Sequence, residues 1–352
     1  MSPEPIRVGI IGAGAITRLR HIPGLNAQPD VELVAVANRS RESSERAATE
    51  LDLGAAVDTW EEIILDDEID AVCIGTWPYM HAPLTIAALE SGKHVLVQAR
   101  MAANSIEAQA MLDTLKDNPG LVGQIVPAPH SLEVDQTVID MLSDGYVGEL
   151  IQVEGFQAAG SNFPEWDSPI HWRHDRDLSG NNILFMGIMY EAMMRWVGPA
   201  ATVQALGQTV VNHREDENGR RIAMTIPDHV DILCRLEQGG QLRFTDSSVI
   251  GHAPGLVFTI YGTEGTIRIE GGAGDMSISA GRKGDAGLSP VEIADDKRGG
   301  WRVEEEFINA IRGTEPVTHT DFYTGVRYME WTDAVTRSLR TGELVNLPLD
   351  AN

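Results

Sequence analysis

Two hydrophobic rhythms divide this chain. Up to Val126, short unbroken apolar runs alternate with stretches in which apolar residues return once per helical turn. The runs are Val8–Ile11, Val31–Ala37, Ala71–Gly75, His94–Val97 and Leu121–Val126. The helical stretches are Arg18–Gln28, Arg41–Leu51, Thr59–Leu65, Pro83–Ser91 and Ser105–Asp117. Strands that are apolar throughout are covered on both faces, so this alternation predicts a doubly wound parallel sheet. Beyond Val126 an amphipathic helix over Leu132–Ser143 and a strand over Leu150–Gly155 lead into period-two segments. These are Thr202–Val211, His229–Leu236, Gly240–Val249, Leu256–Tyr261 and Thr266–Glu270. Turns such as Glu237-Gln238-Gly239-Gly240 separate them, which predicts an open, mainly antiparallel sheet. Helices over Arg302–Arg312 and Tyr323–Arg340 close the chain, and Arg282–Gly300, rich in Gly, Asp and Lys, reads as a mobile loop. The fold class is α/β, with a dinucleotide-binding domain over 1–126 and a second α/β domain over 127–352.

Ligands of doubly wound sheets lie beyond the carboxyl ends of the strands. Those ends fall at Gly12–Ile16, Asn38–Ser40, Thr76–His81, Gln98–Met101 and Pro127–His130. The first opens a Gly-x-Gly turn. Gly12 permits the tight reversal, and Gly14 lets the backbone approach a pyrophosphate. Ala15 and Ile16 then begin a helix whose free N–H groups favour that anion. Thr17 stands where the strict motif has its third glycine. Asn38, about 20 residues further on, sits where a ribose-binding residue is expected. It can bond a ribose hydroxyl, while Arg39 and Ser40 can hold the 2′-phosphate of NADP; capping the next helix is their other use. The expected cofactor is NADP or NAD.

Composition narrows the partners. The 52 acidic against 27 basic residues give a net charge of −25, the wrong sign for neutralising nucleic-acid phosphates. Cys73 and Cys234 each lie in an apolar run and read as buried thiols, not as a disulfide or a metal site. No stretch has the apolar length of a membrane span, and the first residues lack a secretory signal pattern. A soluble, cytoplasmic protein with a small-molecule partner is expected.

Several motifs then combine. They are Val8–Thr17 with His21, Asp70–Ile74, Thr76-x-Pro78-x-x-His81, Ala87–Val95, Asp144-Gly145-x-x-Gly148, Trp172-Arg173, Ser179-Gly180, Gly262-Thr263-Glu264-Gly265-Thr266 and Thr341-Gly342. Together they resemble the Gfo/Idh/MocA family, named for glucose–fructose oxidoreductase, inositol dehydrogenase and a rhizopine-catabolism protein. The resemblance spans essentially the whole chain. It implies an N-terminal Rossmann domain, a C-terminal domain with a large open sheet, and a nicotinamide cofactor. It also implies a carbohydrate, cyclitol or related polyol substrate, and a homodimer or homotetramer assembled through the sheet. Cofactor contacts from Thr76, Trp77, Pro78, His81, Gln98, Trp172 and Arg173 follow from the same resemblance.

The chemistry departs from the family pattern. Where the family has Glu-Lys-Pro, this chain has Gln98-Ala99-Arg100; where it has Asp-x-Gly-x-His, Phe185 and Met189 flank Gly187. Neither Ala99, Phe185 nor Met189 can carry a proton. Candidate replacements are His174 and His171, with Asp175 to orient one of them, and His130 on the loop after Val126. Tyr190 and Glu191 follow Met189 on its helix, and only one of them can point in the direction of the family's histidine. A solvent-facing polar loop accounts for the histidines equally well. His171, His174, Asp175 and Glu191 do not form a recognisable metal motif, so no metal is expected. Trp77, Trp166 and Trp172 can stack on a sugar ring; the methionines of the same helix read as packing. Three functions stay open. One is an NAD(P)-dependent oxidoreductase with a relocated base. Another is a lyase, hydrolase or epimerase using a retained nicotinamide for transient redox. The last is a ligand-binding protein without catalysis.

Overall fold

A computed structural model describes residues 4–158, 163–272 and 274–350. They form two compact units, one of residues 1–127 with 302–326 and one of residues 128–301 with 327–352.

The first unit is a six-stranded parallel sheet in the order β3-β2-β1-β4-β5-β6. Its strands are β1 (Ile6–Ile11), β2 (Val31–Ala37), β3 (Ala55–Ala56), β4 (Ala71–Ile74), β5 (His94–Val97) and β6 (Gly123–Ile125). The central strands are buried along their length, as their unbroken apolar sequences require. Ser40, three residues past β2, caps the Arg41–Leu51 helix by accepting the Ser43 N–H. Asn104 caps Ser105–Asp117 in the same way through Glu107 N–H. The expected Pro83–Ser91 helix starts earlier, spanning Pro78–Glu90. Pro78 takes the N1 position, where no N–H is needed, and Pro83 is carried inside the helix.

The division expected at 126/127 did not foresee the return of residues 302–326 to the first unit. Two buried ties hold them there. His21 Nδ1 lies 2.6 Å from Glu304 Oε1, with the two side chains 1% and 3% exposed. Gln124 Nε2 donates to Glu306 and to the His319 carbonyl, each at 2.9 Å. Ile125 and Thr320 then exchange backbone hydrogen bonds, so the returning chain covers the free edge of β6.

The second unit is built on a nine-stranded sheet. Its central members are β7 (Leu150–Ala158), β8 (Ala200–Gln208), β11 (His229–Leu236), β12 (Gln241–Ser247) and β13 (Leu256–Gly262), with the β9/β10 pair (His213–Glu215, Arg221–Ala223) forming a separate ribbon. All pairings in the large sheet are antiparallel except β7 with β12. The Met186–Val197 helix packs on one face, where a Cβ on Gly155 would press on Met193 Sδ. Trp196 meets Phe258 edge-on, and Tyr190 stacks on Trp331 at 4.1 Å. The other face carries exposed Leu206, Leu233 and Tyr261. The stretch Arg282–Gly300 is partly ordered: a strand at Ser289–Val291 pairs with an unforeseen strand at Asp275–Arg282, and a 3-10 turn follows at Asp295–Lys297. Among the described residues, no helix is long and apolar enough to cross a membrane.

Candidate active site

In the first unit, a cleft of about 570 Å³ opens at the carboxyl ends of β1, β2 and β4. Gly12 turns the chain at φ +90°, and a Cβ there would press on Gly75 and Thr76 at 2.9 Å. Gly14 differs: the only atom near its missing Cβ is the Gly75 carbonyl oxygen at 3.5 Å. Packing within the chain therefore does not demand glycine at 14, and its bare face is turned to the cleft. The helix that starts at Ala15 and Ile16 presents its first N–H groups beside it, with no carbonyl one turn earlier to bond them. This is a cradle shaped for a pyrophosphate.

Thr17 explains the departure from the strict motif. It is buried, donates to the Gly12 carbonyl at 3.0 Å, and lies so close to Gly75 that a Cβ there would overlap its hydroxyl. The close contact usually made possible by a glycine on the helix is made possible here by Gly75 on the facing strand end.

Several residues expected at the cofactor make internal ties. Asn38 accepts the Ala13 N–H at 2.8 Å and donates to the Ser43 carbonyl at 2.9 Å, so its amide holds the turn. Ser40 is a helix cap, and Pro78 a helix start. His81 is fully buried, with ring nitrogens 2.8 Å from the Arg100 carbonyl and 3.0 Å from the Thr76 carbonyl. Burial lowers its pKa against the opposing pull of these carbonyls, and the ring sits between the Thr76 loop and the loop after β5, donating to one carbonyl at a time when neutral. Gln98 accepts the next residue's N–H. Arg39, Thr76 and Trp77 do line the cleft. So do Arg46, Trp60 and Tyr79, which sequence reasoning missed; Trp60 and Tyr79 stand at the starts of their helices and Arg46 in the second turn of Arg41–Leu51.

In the second unit, the segment His171–Asp175 is a reciprocal cap. His171 Nδ1 accepts the Arg173 N–H at 3.3 Å, and His174 Nδ1 accepts the His171 N–H at 3.1 Å. A ring nitrogen that accepts a hydrogen bond carries no proton, so each neutral imidazole bears its hydrogen on Nε2. Protonating either ring would set N–H against N–H. Burial, then Arg214 and His171, push His174 down to about 4; burial and Arg173 also lower His171. Asp175 does not orient either ring, because its carboxylate caps Asp177 N–H at 2.9 Å.

Arg173 lies between aromatic faces, its guanidinium carbon 4.2 Å from the Trp172 ring centre and 5.6 Å from that of Phe185. It has no carboxylate partner among the described residues. Phe185, at the position of the family's Asp, thus supports a cation rather than supplying an anion. Met189 is buried. Tyr190 is a core residue, contrary to its candidacy: it is 1% exposed, accepts the Ala200 N–H at 2.8 Å, and burial raises its pKa. His130 is half-buried with its pKa lowered by burial and Arg195, on a loop fixed by Arg195 and Glu191 through Ala128 and Ser131.

A Rossmann cleft with a pyrophosphate cradle, joined in one chain to a nine-stranded open-sheet unit, defines a dinucleotide-binding protein of two α/β units. Residues 6–124 match the Gfo/Idh/MocA oxidoreductase family, NAD-binding Rossmann fold, and residues 136–268 match the Gfo/Idh/MocA C-terminal domain. The chain belongs to this family. It is 30% identical over 271 residues to dTDP-3,4-didehydro-2,6-dideoxy-alpha-D-glucose 3-reductase of Streptomyces antibioticus, covering 76% of each chain. It is 25% identical over 294 residues to levoglucosan dehydrogenase of Pseudarthrobacter phenanthrenivorans, covering 75% of this chain and 73% of that one. The fold is also that of a solved levoglucosan dehydrogenase complex with NADH and L-sorbose, at a TM-score of 0.83, 21% identity, and coverage of 99% and 100% of the two chains.

Proposed function

We propose that this protein reduces the carbonyl group of a sugar, or of the ketone of a related polyol, with a nicotinamide cofactor, using a site that only donates hydrogen bonds. The observation that carries this reading is the trio His171, Arg173 and His174. When bound, the nicotinamide supplies the hydride. The chain's own residues hold the substrate oxygen. The Arg173 guanidinium and the imidazole Nε2–H groups stabilise the negative charge that grows on a carbonyl oxygen as it is reduced. None of the three is a base: the guanidinium is always protonated, and each imidazole has its lone-pair nitrogen committed to a backbone N–H. The alkoxide takes its proton from water. Relatives named for sugar reduction or sugar dehydrogenation support the substrate class. The exposed Leu206, Leu233 and Tyr261 on one sheet face suit self-association, and a cytoplasmic setting fits a soluble cofactor.

The test is a panel of keto-sugars with NADH and NADPH, followed by loss of reduced-cofactor absorbance. Arg173→Met is expected to lower kcat on the order of 100-fold while leaving cofactor affinity unchanged. Loss of cofactor binding with kcat intact would place Arg173 on the cofactor and overturn the reading.

A further inference from the structure

We infer that the adenosine end of the cleft is built for a 2′-phosphate, so that this chain prefers NADP(H) to NAD(H). This inference concerns binding in the first unit and does not depend on the reaction proposed above.

A dinucleotide site selective for NAD places a carboxylate at the end of the second strand, where it accepts the ribose hydroxyls and repels a phosphate. β2 is followed instead by Asn38, and both ends of its amide are already bonded, to Ala13 N–H and to the Ser43 carbonyl. It offers neither a free acceptor nor a negative charge. The next residue, Arg39, is exposed, lines the cleft and has no hydrogen-bond or ion-pair partner among the described residues. Arg46 lines the same cleft from the following helix, and its ion pair, to exposed Glu42, is long at 3.8 Å.

The neighbouring cations behave differently. Arg41 is taken up by Glu45 and Asp58, at 2.8 and 3.2 Å. Arg18 is taken up by Glu50 and the Ala13 carbonyl, at 2.8 and 2.9 Å. Of the acidic residues on the cleft, Asp58 is therefore matched by Arg41, and Glu61 is the unmatched one. Ser43, whose hydroxyl has no hydrogen-bond partner among the described residues, also lines the cleft. The unpaired Arg39 guanidinium, the loosely paired Arg46 guanidinium and Ser43 line the part of the cleft where a phosphate monoester of about −1.5 to −2 charge would sit. The N-terminus of the Arg41–Leu51 helix adds its positive end to the same place. Guanidinium groups match the flat oxygen pairs of a phosphate better than any other side chain.

The full-length protein would be titrated with 2′,5′-ADP and with 5′-AMP by calorimetry, and with NADPH and NADH by quenching of the cleft tryptophans, Trp60 and Trp77. The fragments isolate the phosphate from the nicotinamide. At low salt, 2′,5′-ADP and NADPH are expected to bind at least about tenfold more tightly than their partners lacking the phosphate. Arg39→Met and Arg46→Met should each erase most of that difference and flatten its salt dependence, leaving 5′-AMP affinity unchanged. Equal affinities for the two fragments would overturn the inference. So would an Arg39→Met variant that weakens both fragments alike, because Arg39 would then only stack on adenine. Failure to bind either full dinucleotide would overturn the cofactor cleft itself, a separate result.

Discussion

Arg195 offers the sharpest test of how the second unit is held together. Its Nη1 donates to Glu191 at 2.7 Å, its Nε lies 3.0 Å from Asp135, and its Nη2 reaches the Ala128 carbonyl at 3.1 Å and Ser131 Oγ at 3.0 Å. Asp135 and Glu191 are 4% and 3% exposed. Arg195→Leu keeps the apolar stem and removes the cation that is ion-paired with both carboxylates. Asp135 would retain the Trp196 indole N–H at 2.6 Å, and Glu191 the Ala128 N–H at 2.8 Å. These bonds do not replace a buried charge. Stranding ions in this way costs about 3–5 kcal/mol, or roughly 10 °C in the melting of a unit this size. Urea denaturation read by tryptophan fluorescence measures it. Adding Asp135→Asn and Glu191→Gln to the variant removes the stranded charges and should recover about half of the loss. A loss below about 1 kcal/mol, or no recovery in the triple variant, would refute the network as described.

Gly75→Ala would push a Cβ into Thr17 Oγ1 and the Gly12 carbonyl, so the variant should lose NAD(P)H binding while the second unit keeps its melting transition. His174, at about 4 in the folded chain against an ordinary 6.5, is refused a proton that the unfolded chain accepts between those values. Its contribution to stability is therefore complete above about pH 6.5 and is lost as pH falls towards 4; His174→Asn should flatten the stability–pH curve across that window and nowhere else.

Much of this architecture was legible because burial leaves a direct mark on sequence. Strands covered on both faces must be apolar throughout, and β2, the Arg41–Leu51 helix, Ser105–Asp117 and β11 fall where the rhythm placed them. The return of residues 302–326 to the first unit was not legible. It rests on long-range polar pairs, His21 with Glu304 and Gln124 with Glu306, which no local period encodes. The cleft was located from Gly12 and Gly14, yet the roles of Asn38 and His81 were not. A polar residue at a strand end bonds a ligand or the backbone with the same groups, and only three-dimensional neighbours decide which. Tyr190 shows the same limit: periodicity put it on the helix but did not reveal Trp331 stacked on its inner side. The tautomers of His171 and His174 follow from a reciprocal cap formed by backbone geometry, which the sequence shows only as two histidines three residues apart.

If the trio His171, Arg173 and His174 donates and takes no proton, the reaction should show it in its pH dependence. The most direct measurement follows both directions, on a keto-sugar and its alcohol once a pair is found. If no base serves the substrate oxygen, kcat/KM for carbonyl reduction should stay flat from about pH 6 to about pH 9, and that for alcohol oxidation should climb about tenfold per pH unit without a plateau. An oxidation profile that levels off above a pKa near 6 to 7, mirrored by a falling reduction profile, would reveal an imidazole base and contradict the account.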